Sequence, residues 1–338
     1  MRRLTGIFCA TFIICALLLT TSCERRPLVD MENRTMIDVK VNVESISNVT
    51  CDVYNEKVQI PEIAPVAMHA LFFDQYTEKI VSEAFLSNVE TDADGIRSIH
   101  GSISLLPGNY KMLIYDFGTE ATIVKDYYNW QGCNAYTEEV SSVIKKSFAS
   151  KAGIEEAYVV YEPDHLVVAT SENEYIPYHE DIHTISVDAT SVVESYYLQI
   201  KVQGLEYVSS AQAVLSGMVS SNIISSNTRV VEPEATLWFD LEKSDDKGVP
   251  VICTVFNTFG RIDKSLNKLE VTFDIKTHDG RVVQEVFDIS DLFSTQECIE
   301  HHWLLVDEEI VVPPPLSVGG GFAPEVNEWE EQESEIII

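Results

Sequence analysis

Residues 269–287 read LEVTFDIKTHDGRVVQEVF, and this stretch decides the fold class. Leu269, Val271, Phe273 and Ile275 alternate with Glu270, Thr272, Asp274 and Lys276, which puts the apolar side chains on one face of a half-buried strand. Asp279-Gly280 then supplies a tight turn, and Val282–Phe287 returns as the antiparallel partner. The same grammar recurs upstream. Ile37, Val39, Val41 and Val43 alternate with polar residues, whereas VAMHALFF (66–73) is apolar almost throughout, as a central strand would be. A turn at Asp74–Thr77 leads into Ile80–Leu86, and Ser102–Leu106, Pro107-Gly108 and Tyr110–Tyr115 read as strand, turn and strand. Shorter runs follow at Ala157–Tyr161 and His165–Ala169. Tyr196, Leu198, Ile200 and Val202 open a second series, continued by Leu237–Leu241 and Val251–Phe256. Only Tyr136, Val140, Val143, Ile144 and Phe148 recur at helical spacing. Strands with so little helix between them favour antiparallel sandwiches over a parallel α/β sheet. The expectation is an all-β chain of two tandem antiparallel β-sandwich domains, residues 35–188 and 189–312, with one short helix in the first.

The flanks read differently. Arg2-Arg3, an apolar run from Gly6 to Leu19, and Thr20-Thr21-Ser22-Cys23 follow one another as in a lipoprotein signal. The apolar run is too short for a spanning helix. Residues 1–22 are thus expected to be a signal peptide, with Cys23 the lipidated N-terminus and 23–34 a linker. Acyl chains such as palmitate on Cys23 would hold the chain at the outer membrane. At the other end, 313–338 reads as a Pro/Gly linker and a flexible acidic tail. Pro313-Pro314-Pro315 is stiff, Gly319-Gly320-Gly321 is flexible, and 325–338 carries six Glu, Trp329 and Ile336-Ile337-Ile338.

Charge excludes some partners. The 338 residues hold 23 Lys+Arg against 54 Asp+Glu, a formal charge of −31, which repels nucleic-acid phosphates and anionic lipid. After the leader and Cys23, Cys51, Cys133, Cys253 and Cys298 remain. In an oxidising envelope they can pair three ways, and Cys51–Cys133 with Cys253–Cys298 keeps both bridges inside the expected domains; the alternative is four buried thiols. No CxxC supports structural zinc.

Motifs for chemistry are sparse. His179-Glu180-Asp181-Ile182-His183 matches HExxH, which serves a zinc protease only on a helix. Pro177 before it and the alternating Thr184–Val187 after it point to a strand, where the two His would stand about 13 Å apart. Asp92-Ala93-Asp94-Gly95 reads as a polar turn rather than a calcium loop, and His301-His302 as a strand end. No catalytic residues, metal or cofactor beyond the lipid on Cys23 are expected. Tyr127-Tyr128-Asn129-Trp130 is the one aromatic cluster, readable as a sugar platform (Tyr127, Tyr128, Trp130) or as a packed loop.

Cys23-Glu24-Arg25-Arg26-Pro27-Leu28 after the signal, Leu105-Leu106-Pro107-Gly108-Asn109-Tyr110 entering an apolar strand, and Tyr197–Gly204 followed by Ala213–Met218 occur in an order that resembles the Bacteroidales fimbrillin-like lipoproteins. Gly319-Gly320-Gly321-Phe322 and the acidic tail complete the resemblance, which is nearest the minor and anchor subunits of type V pili. It implies two transthyretin-like sandwiches and an envelope-anchored accessory, anchor or adhesion protein that exchanges strands with a pilus subunit. The tail is a candidate donor strand, with its six Glu opposing burial. A surface glycan-binding lipoprotein is the alternative.

Overall fold

The computed structural model describes residues 33–43, 52–60, 64–93, 96–152, 157–179, 181–262 and 268–315, and in it the alternating segments pair as strands. The first half of the chain gives β1 (Thr35–Asn42), β2 (Met68–Asp74), β3 (Ile80–Leu86), β4 (Asn88–Thr91), β5 (Arg97–Leu105) and β6 (Gly108–Asp116). It continues with β7 (Thr122–Lys125), β8 (Asn134–Thr137), β9 (Tyr158–Tyr161), β10 (Val167–Ile176) and β11 (His183–Asp188). The second half gives β12 (Thr190–Ser191), β13 (Glu194–Gln203), β14 (Val208–Met218), β15 (Ser221–Ile223) and β16 (Thr228–Val230). Then come β17 (Ala235–Asp246), β18 (Val249–Thr258), β19 (Glu270–Thr277), β20 (Val282–Asp288) and β21 (Trp303–Val311). The helices are α1 (Ser142–Ala152) and α2 (Gln296–His301).

Parity decides the packing. In the first sandwich the sheet β11-β1-β5-β4 faces β12-β10-β6-β2-β3. Ile37, Val39 and Val41 of β1 meet Ala70 and Phe72 of β2 and Met112 and Ile114 of β6 between them. The apolar run of β2 is buried on both faces, because Leu71 and Phe73 point the opposite way and pack with Leu113, Tyr115 and Val168. A third sheet, β16-β15-β8-β7, covers that opposite face. Gly101 lets the β3–β4 corner cross β5, since a Cβ there would lie 2.6 Å from Leu86 Cδ2. In the second sandwich, β20-β19-β14-β17 and β17-β18-β13-β21 share the long strand β17. Their core holds Leu198, Ile200 and Phe273, with Phe239 stacked on Phe256 at 4.6 Å.

Several expectations change. The sheets are mixed rather than purely antiparallel: β1 pairs β11, β9 pairs β17 and β13 pairs β21 in parallel. The helix begins at Ser142, with Tyr136 in β8 and Val143 exposed. Val140, Ile144 and Phe148 do share a packing face, but it lies against Val214 and Trp238 of the second half. His301-His302 end α2 rather than a strand, with His302 left-handed at φ 59° as its C-cap.

Strands also cross the 188/189 division. β9 joins β17, while β15 pairs β8 and so carries β16 into the third sheet. Residues 52–58 reach the outer face of the second sandwich, where Val58 packs with Tyr197 and Cys253 and Tyr54 lies 5.0 Å from the Trp303 ring. Tyr54 donates to Asp246 at 3.0 Å, and Lys57 pairs with Asp245.

The Cys253–Cys298 bridge is not formed. Both are buried free thiols on opposite faces of one sheet, Cys298 in the core between the sheets and Cys253 under residues 54–58. Cys133 is also free and buried; Cys51 lies outside the described residues. So do residues 1–32, including Cys23, and residues 316–338 of the tail. Among the described residues no helix is long and apolar enough to cross a membrane.

Candidate functional site

The aromatic cluster divides once folded. Asn129 caps a single 3-10 turn, Trp130–Gly132, which turns the Trp130 ring inward. Trp130 is 4% exposed and meets Phe73 edge-on at 5.5 Å, so it serves the core and not a sugar platform. Tyr128 remains exposed, and its ring lies 4.5 Å from that of Tyr127.

Tyr127 instead borders a cleft of about 370 Å³ beside His69, lined also by Phe85, Tyr115, Phe117 and Thr122. His69 is buried in β2, so both ring nitrogens need partners. Nδ1 lies 2.8 Å from the Tyr115 hydroxyl and Nε2 lies 2.9 Å from Glu83 Oε2. Phe85 stacks on the imidazole at 4.4 Å, and Phe117 approaches it edge-on at 5.6 Å. Burial holds His69 below its ordinary range, with the Glu83 carboxylate opposing. Burial likewise raises Tyr115 and Asp116, the latter against a hydrogen bond from the Gly118 N–H. The cleft is a polarised aromatic recess, and sequence reading missed it: its rings come from separate segments, and only the lone His inside an apolar strand hinted at it.

The HExxH segment is not helical. His179 lies in the loop after β10, bonded through Nδ1 to the Asp181 N–H, and His183 opens β11 opposite Ile37. Glu180 lies outside the described residues. Among the described residues no group of three or more His, Cys, Asp or Glu is placed to hold a metal ion.

Sheet edges are the other feature able to bind. Among the described residues β21 has a strand neighbour on one side only, β13. It is nine residues long, and its register slips between Val306 and Glu309, so that Asp307 and Glu308 form an exposed bulge. Its last residue leads into Val312, whose N–H donates to Gln203 at 2.8 Å, and then into Pro313–Pro315. A strand edge of this length offers a row of N–H and C=O groups to another chain.

The family model described as "Domain of unknown function (DUF5119)" matches residues 22–240. A Bacteroides ovatus protein named "Putative fimbrium anchoring subunit Fim4B" is 21% identical over 359 aligned positions, covering 95% of each chain. The crystal structure of a "putative adhesin" from Bacteroides ovatus ATCC 8483 superposes with a TM-score of 0.59 at 18% identity. It covers 87% of this chain and 98% of its own, which shows a common fold. The fimbrial anchor protein Mfa2 from Porphyromonas gingivalis matches 82% of this chain and 90% of its own, at 12% identity and a TM-score of 0.46.

Proposed function

The chain belongs to the family described as Domain of unknown function (DUF5119), and we propose that it is an envelope-anchored fimbrial accessory protein. Lipid on Cys23 holds it at the outer membrane, and a pilus subunit pairs with it by adding a strand along β21. The observation that carries this reading is the edge of β21, nine residues long and paired on one side among the described residues. The acids Asp307, Glu308 and Glu309 discourage pairing with a second copy of the same acidic chain. The end-to-end alignment with the fimbrium anchoring relative supports the class of function. The leader ending at Ser22-Cys23 supports the anchor.

Glu308→Pro tests the edge, because it removes a backbone donor within the bulge where a proline disturbs the β13 ladder least. The variant should melt like the parent and bind a purified pilus subunit about tenfold more weakly, the loss of roughly one net hydrogen bond. A folded variant with unchanged affinity would exclude β21 as the docking strand.

A further inference from the structure

One end of the first sandwich carries a ring of exposed apolar side chains. Thr35, at the start of β1, lies opposite Leu105, and its hydroxyl donates to the Pro177 carbonyl at 2.5 Å. The turns after β2, β5 and β10 therefore gather where the described chain begins. Asp74 lies opposite Tyr110, whose hydroxyl reaches the Leu106 carbonyl at 2.8 Å, and Ile37 lies opposite His183. On this rim Met36, Tyr76, Leu106, Tyr175, Tyr178 and Ile182 are all exposed, Tyr76 by 88% and Ile182 by 64%. Such a set is costly to leave in water, and tyrosines among aliphatic residues suit the boundary between headgroups and acyl chains.

We infer that this rim rests on the lipid surface, inserting its Tyr, Ile, Leu and Met side chains into the headgroup layer. The inference rests on the lipid at Cys23 proposed above. Position argues for this occupant: Arg34 lies eleven Cα-to-Cα steps from Cys23, which at about 3.5 Å each gives a tether of at most about 40 Å. The end nearest that tether exposes these six side chains, whereas Val66, Phe85, Val89 and Phe117 are exposed at the end farther from it. Charge selects the lipid: the rim bears Asp74, Glu174 and Asp181 beside Arg34 and Lys79, and the whole chain has a net charge of −31, so a zwitterionic surface fits better than an anionic one.

The test places a spin label at Ile182→Cys or, as control, at the exposed Val249→Cys at the start of β18. Both are made in a Cys51→Ser background, and Cys133, Cys253 and Cys298 are buried and escape the reagent. The full-length lipidated protein is incorporated into phosphatidylcholine–phosphatidylethanolamine vesicles, and each label's collisions with oxygen and with a water-soluble nickel chelate are compared. The oxygen-to-nickel ratio should be severalfold higher at 182 than at 249. Equal ratios in protein that co-floats with the vesicles overturn the rim contact while leaving the anchor standing. Protein that fails to co-float overturns both. Broadening at 182 that disappears on dilution with unlabelled protein means that a second copy covers the rim, and also overturns it.

Discussion

Glu162 sits where the two halves interlock, and it offers a measurable handle on that junction. It directly follows β9, the strand that pairs with β17, and its Oε2 accepts the Asn257 N–H at 3.0 Å. Burial is the main force on its carboxyl and pushes it up to about 7, with Asp240 and Asp164 adding to the rise and the Asn257 hydrogen bond opposing it. The folded chain therefore keeps this proton to higher pH than the unfolded chain, whose carboxyl titrates near 4.5. Its contribution is fully present below 4.5 and is lost as pH rises towards and past 7. The loss amounts to about 3 kcal/mol, at roughly 1.4 kcal/mol for each tenfold change in proton binding. Glu162→Gln keeps an oxygen for the Asn257 N–H and removes the titration. Urea unfolding of both proteins from pH 5 to pH 8 should give a stability difference that grows in favour of the Gln variant by about 2.5 kcal/mol, since part of the loss precedes pH 5. Parallel pH profiles would refute the burial argument, whatever their vertical offset.

Trp130→Ala should cost about 3–5 kcal/mol in denaturant unfolding, since it empties a buried aromatic site; a loss below about 1 kcal/mol would mean that the ring is not core. Burial pushes the Cys133 thiol up to about 12 and Cys298 up to about 11, and raises Cys253 as well. All three should resist alkylation at pH 8 in native protein and react once it is unfolded, so rapid native labelling of any one contradicts its placement. Cys23→Ser should move the protein from the membrane fraction to the soluble fraction, and equal retention of the Ser variant would remove the lipid anchor.

What was legible in the sequence was local. The β19–β20 hairpin is announced by Asp279-Gly280 between two alternating runs, and strand pairing there follows directly from chain proximity. β2 was readable as doubly buried because its apolar run has no polar face. The parallel pairs were not readable, since β1 and β11 or β13 and β21 are joined by no turn that could signal them. The helix was misplaced because Tyr136 and Val143 fit a helical spacing by coincidence, while β8, the strand before the helix, claims Tyr136. The candidate site follows the same rule. Trp130 was readable both as a platform and as a packed loop, because nothing near it in sequence shows that Phe73 covers it. Phe85, Phe117 and Tyr127 converge on His69 only after β2, β3 and β6 have paired.

The long-range pairs that escaped sequence reading also set how the first sandwich would bear a pull between an anchored N-terminus and a partner on the second half. Load entering at Thr35 acts along β1, whose eight residues lie beside β5 on one side and in parallel with β11 on the other. Chain leaves this sandwich for the second half through β11 and the two-residue β12, and Asp188 lies opposite Asn42, at the far end of β1 from Thr35. A force between those two ends runs parallel to the strands and perpendicular to their hydrogen bonds, so the ladder bonds of β1 are loaded together instead of being opened one at a time. Had β11 paired antiparallel to β1 in the same place, its C-terminal end would lie beside Thr35. The same pull would then enter and leave at one end and peel the ladder from there. Under such a pull a parallel β1–β11 pair is therefore loaded in shear, where an antiparallel pair would be peeled.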